Sequence, residues 1–183
     1  MKEPVAIIET TRLILRSPLP SDLPILHEHI FSDVSVMRHA FRGRPLSFQE
    51  TTDFFDEGFD RHASGKKLGV IVERRTTEVI GIAGLLSCRA LGKADYEIGF
   101  ILRRSTWGKG YATEIGAGQL DFGFSSLGCR RLLALVAPQN TASIAVIKKL
   151  GMEFLTSVEN DERGIRQIYV VHNDRQHCDR PSV

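Results

Sequence analysis

The chain has few cysteines, one tryptophan, almost no net charge and no long apolar run. Three cysteines among 183 residues, Cys88, Cys129 and Cys178, are odd in number and far apart. They close no disulfide framework and show no paired metal-ligand spacing, so a reducing cytosol is the expected compartment. Lys and Arg number 24 against 22 Asp and Glu, a formal charge of +2, which argues against nucleic acid as a partner and makes any basic site local. The doublets Arg74-Arg75, Arg130-Arg131 and Lys148-Lys149 read as solvated ends of elements and lack the interleaved aromatics that single strands stack on. No apolar stretch approaches the roughly 18 residues of a bilayer span. Met1-Lys-Glu-Pro-Val5 opens no secretory signal, so neither membrane insertion nor secretion is expected. His27 and His29 lie two apart on an expected helix and do not face each other, while His172, His177 and Cys178 lack an obvious fourth ligand; no metal site is expected. With 42% hydrophobic and 25% charged residues, what is present suits one globular domain.

Arg12 to Arg16 is β-prone, and Ser21 or Asp22 caps a helix that fades near Phe31. Ser32 to Pro45 reads as a loop or a short irregular helix. Ser47-Phe-Gln-Glu50 has the spacing of a capping box and starts a helix expected to reach Ala63. Three strands with short turns follow, over Leu68–Arg74, Val79–Ser87 and Asp95–Leu102, which implies antiparallel pairing. A helix from Gly108 to Leu127, a buried strand over Arg131–Val136 and a helix from Asn140 to Leu150 read as a βαβ crossover, so at least one strand pair is parallel. A hairpin of Phe154–Val158 with Arg166–His172 closes the domain, and 173–183 is an aperiodic tail.

The chemistry-bearing segment is Arg103-Arg-Ser-Thr-Trp-Gly-Lys-Gly-Tyr-Ala-Thr-Glu114, between a strand and a helix. Gly108 and Gly110 allow a tight turn and close backbone approach, and free amides at the following helix start suit an anion, above all a pyrophosphate. It is not a Walker A loop, because Arg103 stands where the first glycine is required and Gly110 where Ser or Thr is required. It is not a dinucleotide fingerprint, because Thr113 replaces the third glycine. An ordinary glycine-rich connection without ligand is the competing reading.

Taken with Thr11-Arg-Leu-Ile-Leu-Arg16, Gly81, Gly84, Glu97-Ile-Gly-Phe100, Trp107 to Glu114 and Asn140-Thr-Ala-Ser-Ile-Ala-Val-Ile-Lys-Lys-Leu-Gly-Met152, the chain resembles the GCN5-related N-acetyltransferase (GNAT) superfamily. Within it the chain resembles the RimJ/RimL-like branch that acetylates N-termini of ribosomal proteins. The resemblance covers one domain over 9–172. It implies an α/β (α+β) fold with a mixed, mostly antiparallel, twisted sheet flanked by helices and splayed between its fourth and fifth strands. Acetyl-CoA, as co-substrate, is expected in that opening. Its pyrophosphate would lie on the amides of Trp107, Gly108, Lys109, Gly110, Tyr111 and Ala112, and its pantetheine along Ile101, Leu102 and Arg103. The family's loop usually starts with Arg or Gln where Ser105 stands; Arg103, Arg104 and Lys109 are near enough to neutralise phosphate instead. Lys148 or Lys149 is expected at the 3'-phosphate.

Asn140 is either a plain N-cap or, as the resemblance adds, also a contact to the pantetheine arm or amine, with Ser143 one turn on facing the thioester sulfur. Many members carry a general-acid tyrosine where Ile147 stands, so Ser143 is the expected substitute. Glu97, in an otherwise apolar strand, is the expected base, acting through water; its competing reading is a strand-face carboxylate paired with an arginine. An amide near Leu102 would polarise the carbonyl. The resemblance places acceptor contacts on 37–45, which is basic, and 159–162, which is acidic. A protein N-terminus, a polyamine, an aminoglycoside and a small amino compound all stay open, as do a monomer or homodimer and an idle acyl-CoA sensor.

Overall fold

A computed structural model describes residues 3–41, 43–160 and 164–173. Eight strands form one sheet in the order β1-β2-β3-β4-β5-β6-β8-β7: β1 (Ala6–Glu9), β2 (Leu13–Arg16), β3 (Gly69–Glu73), β4 (Val79–Cys88), β5 (Asp95–Leu102), β6 (Arg131–Val136), β7 (Glu153–Asn160) and β8 (Gly164–His172). Every pair is antiparallel except β5 with β6, as the sequence reading of a crossover requires. β1 was not expected; it extends the sheet to Ala6 and makes the opened pair the fifth and sixth strands instead of the fourth and fifth.

Helices cover both faces. α1 (Asp22–Leu26) runs into a wider π-type turn, His27–Phe31. No side chain caps it; the Asp22 carboxylate instead takes the Leu19 amide (2.7 Å) and both Arg16 terminal nitrogens (2.8 Å each). α2 (Val34–Met37) is capped by Asp33. α3 (Phe48–Gly58) begins in the expected capping box, and Arg44 joins it at Glu50, whose pKa is lowered to about 2, chiefly by that hydrogen bond. α3 stops at Gly58 instead of Ala63, because Asp60 turns back to receive the Gly65 amide and Ser64 hydroxyl. Beneath α1 to α3, Phe31, Phe55, Phe59, Val70 and Ile82 form one core; on the opposite face α4 (Tyr111–Asp121) covers Leu13, Ile71, Ala83 and Leu102. α4 ends at Asp121 in a π-type turn, Phe122–Ser126. α5 (Thr141–Lys149) packs Ile147 against Ile98, Leu132, Ala134 and Val136.

The sheet splays for a visible reason. Asp95 and Arg131, the first residues of β5 and β6, are joined by two guanidinium–carboxylate bonds of 2.8 and 2.7 Å. One step further in, Glu97 faces Leu133, and there the parallel register ends. Arg131, read from sequence as the solvated end of an element, is therefore the tie that holds the closed end. Beyond it the strands diverge, and the cleft opens between Ile98–Leu102 and Ala134–Val136. Among the described residues, no helix is long and apolar enough to cross a membrane.

Candidate active site in the opened sheet

The cleft has a volume of about 830 Å³. Its walls are the free edge of β5, the loop to α4, the end of β6, the first turns of α5 and the α2 segment.

The loop is shaped as the glycine spacing predicts. Gly108 and Gly110 have φ of +74° and +79°, values that a side chain would strain. Gly110 is the N-cap of α4 and supplies no side chain, so amides of Tyr111 onward open toward the cleft with the positive end of the helix dipole behind them. The loop is braced from behind. Glu114 in the first turn of α4 accepts hydrogen bonds from Thr10 Oγ1 (2.7 Å), the Arg12 amide (2.7 Å) and Arg12 Nε (2.6 Å). Arg12 Nη1 donates to the Lys109 carbonyl (3.0 Å), and its guanidinium lies 4.6 Å from the Tyr111 ring centre. Burial pushes the Glu114 carboxyl up, but the hydrogen bonds from Thr10 and Arg12 outweigh it and hold the group below its ordinary value of 4.5.

The strand edge follows from one bond. The Arg103 amide donates to the Ile80 carbonyl (2.9 Å), and with Leu102 opposite Gly81 the antiparallel alternation turns the peptide groups of Ile101 and Arg103 toward β4. Those of Phe100 and Leu102 face the opening. The Leu102 carbonyl is already taken by the Trp107 indole N–H (2.8 Å), which leaves the Leu102 amide, with that of Phe100, as donors on this edge. On this edge, Phe100 and Leu102 therefore offer peptide groups to the opening, while Ile101 offers its side chain.

Of the residues picked from sequence, Glu97, Ile101, Leu102, Arg104, Trp107, Gly108, Gly110, Tyr111, Ala112, Asn140, Ser143 and Lys149 all line the cleft. Two do not. Arg103 turns away to an ion pair with Glu78, while Lys109 is exposed beside the wall and its backbone carbonyl is held by Arg12. Arg104 and Lys149 are on the wall; Ser105 and Lys148 are not. Asn140 does cap α5, its Oδ1 accepting the Ser143 amide (3.2 Å), which leaves its Nδ2 as a donor beside the cleft. Ile147 is 3% exposed and belongs to the core as well as to the wall. Glu97 is 8% exposed on the face shared with Ile101 and Leu133. Of the acceptor loops, Arg38, His39, Ala40 and Phe41 line the mouth, whereas Arg42 and 161–162 lie outside the described residues.

Sequence reasoning missed two features. Arg166, 7% exposed, lines the mouth from β8; its signal was a cation on the face that carries the buried Ile168 and Val170. Arg12 and Glu114 stood in quoted motifs with no role, and nothing in local spacing joins residues 102 positions apart.

The sheet is thus opened at one parallel pair, with free helix-start amides at one end of the opening. Residues 12–153 match the acetyltransferase (GNAT) domain, and the chain belongs to that family. YkkB of Bacillus subtilis, an uncharacterized protein, is 30% identical over 151 residues, covering 81% of this chain and 86% of its own. A spermidine N(1)-acetyltransferase of Escherichia coli is 28% identical over 131 residues, 71% of this chain and 67% of its own. Among solved structures, the RimL ribosomal-protein α-N-acetyltransferase in complex with coenzyme A has a TM-score of 0.74 at 19% identity, covering 94% of this chain and 99% of that one. That last likeness is one of fold.

Proposed function

We propose that the chain transfers the acetyl group of acetyl-CoA to a primary amine by direct attack in a ternary complex. The observation that carries this reading is one continuous cleft joining the open amides of α4 to a buried carboxylate, Glu97, past the Leu102 amide. The residues fit the donor. The open amides, with Arg104 at the loop and Lys149 on α5, suit its phosphates, and the β5 edge at Phe100 and Leu102 suits an extended amide-bearing arm.

Glu97 takes a proton from the ammonium through water, leaving a neutral nitrogen to attack the thioester carbon. The Leu102 amide stabilises the developing oxyanion. As the carbon–sulfur bond breaks, the Ser143 hydroxyl gives its proton to the sulfur and is refilled by the second proton that the nitrogen sheds. Holding amine and thioester together contributes on the order of 7 kcal/mol or more of the acceleration.

The test is a thiol-release assay with an amine panel, alongside calorimetry with acetyl-CoA. Glu97→Gln is expected to cut kcat and remove the alkaline-rising limb of its pH profile; unchanged turnover and profile would refute the base. Ser143→Ala with intact turnover would refute the acid. Donor binding without acceptor-dependent thiol release would make the chain an acyl-CoA sensor.

A further inference from the structure

Gly99 stands in the middle of β5, on the cleft wall, with nothing in the protein that requires a glycine there. Its φ is not left-handed, and a Cβ built on it would meet Leu86 Cδ1 at 3.5 Å and the Gly84 carbonyl at 3.8 Å, both ordinary contacts. Gly84, its partner across the strand pair, is different: there the Lys67 carbonyl would lie 2.2 Å from a Cβ. Crowding therefore explains Gly84 and not Gly99. A glycine inside a strand weakens it, and marks a bulge or a place where another group comes close. β4 and β5 pair from Gly81 to Cys88 without a register shift, so no bulge is present. What the missing side chain leaves is room in the cleft.

That room lies on the face of β5 shared by Glu97 and Ile101, the face that α1 to α3 cover. Ile82 and Leu86 stand beside it on β4, and the close pass of Lys67 over Gly84 brings Leu68 to the wall. Val36 and Phe41 face it from the α2 segment. The floor offers little to a polar group. The Gly99 peptide is turned toward β4 by the same alternation as Ile101 and Arg103. From the opposite face the fully buried Gln119 donates its Nε2 to the Gly84 carbonyl (2.8 Å) and the Gly99 carbonyl (3.0 Å). With its carbonyls so engaged and aliphatic or aromatic side chains around it, this compartment favours an apolar occupant. By strand spacing Gly99 lies roughly 6–7 Å from Glu97, on the way to the Leu102 amide. A nitrogen held between those two groups places its own substituents over Gly99, whereas the methyl of an acetyl group leaves the room unfilled.

We infer that the acceptor is a primary amine carrying an apolar group close to its nitrogen, seated over Gly99; this rests on the acetyl-transfer reading above. A branched alkyl or aryl group fills the space that the missing side chain leaves. A polyamine would set a second ammonium among these apolar side chains, where losing its water is costly. Two sources share the required chemistry, a small hydrophobic amine and a peptide whose N-terminal side chain is apolar.

The experiment measures kcat/KM of the full chain, with acetyl-CoA and thiol release, on matched acceptors: ethylamine and isoamylamine, triglycine and its analogue with leucine first, and spermidine. The apolar member of a pair is expected to exceed its small partner by about tenfold or more; which pair shows the gap identifies the source. Gly99→Val, whose methyl groups occupy the room, should bring the larger acceptor down to the level of its small partner, with acetyl-CoA affinity retained by calorimetry. If that variant fails to fold, Gly99→Ala, whose Cβ fits without strain, carries the test and should narrow the gap about threefold. Equal rates within both pairs, spermidine as best acceptor, or a gap that the folded variants leave intact would overturn the inference while the transferase reading stood. So would a preference for hexanoyl-CoA over acetyl-CoA that Gly99→Val abolishes, since the room would then hold the acyl chain. Acetyl-CoA binding with no amine acetylated would overturn both.

Discussion

Removing the Arg12 guanidinium tests whether the anion-binding loop is preorganised or merely flexible. Arg12 does not line the cleft, yet it holds the loop at three points: the Glu114 carboxylate, the Lys109 carbonyl and the Tyr111 ring. The ion pair has an arginine 43% exposed, so after solvent screening it contributes about 1 kcal/mol. The bond to Lys109 and the contact over Tyr111 add about 0.5–1 kcal/mol each. A loop set free by Arg12→Ala must recover about 2 kcal/mol of ordering when the donor binds, an upper bound of some thirtyfold; since the first turn of α4 persists, about tenfold in donor KM is expected. kcat should change little, because Glu97 and Ser143 stay in place. Glu114→Gln, which keeps an acceptor but loses the charge, should fall in between. Steady-state kinetics varying acetyl-CoA at saturating amine reads the split. Unchanged donor KM in Arg12→Ala would refute the brace, and an equal fall in kcat alone would show that the damage lies elsewhere. The pH dependence has a defined sign. Glu114 is held below its ordinary 4.5, so the brace is complete above that value and is lost as pH falls through the lower, folded-state value. Donor KM should therefore owe no pH dependence to this pair between neutrality and about pH 5.

Further outcomes follow from the same geometry. Gly110→Val, forced to a φ of +79° with its Cβ 3.4 Å from Arg12 Nη2, should raise donor KM at least as much as Arg12→Ala; unchanged affinity by calorimetry would remove the pyrophosphate argument. Asp95→Ala unties the closed end of the splay and strands Arg131, whose partner side chain is 8% exposed. A loss of about 2 kcal/mol is expected, after allowing for the partly solvated arginine, or roughly a 4–8 °C fall in Tm by calorimetry; an unchanged Tm would contradict the tie. Ile147→Tyr, which restores the residue expected of many relatives, should fail to raise kcat and should cost about 1–3 kcal/mol, since the position is core. A gain in kcat would overturn the assignment of that position to the core.

Much of the fold was legible because its signals are local. β5 and β6 match their expected bounds residue for residue, since each is a short apolar run between turn residues. The capping box placed the start of α3, and the two glycines marked the loop. The ends of α3 and α4 were less legible. Asp60, turned back on Gly65, and the π-type turn after Asp121 are tertiary solutions that helix propensity does not encode. β1 was missed because four residues with one buried position carry hardly any alternation.

The site divides the same way. Sequence alone determined which residues could make an anion-binding helix start, a capped α5 and a carboxylate on an apolar strand, because each depends on neighbours within one or two turns. Tertiary structure decided which cations serve the cleft. Arg103 lies in the right segment but is spent on Glu78. Arg166, from a strand that carried no functional signal beyond its inward charge, lines the cleft. The direction of a long side chain is set by the partners that distant strands bring to it, and those partners are chosen by sheet order and register, not by sequence separation.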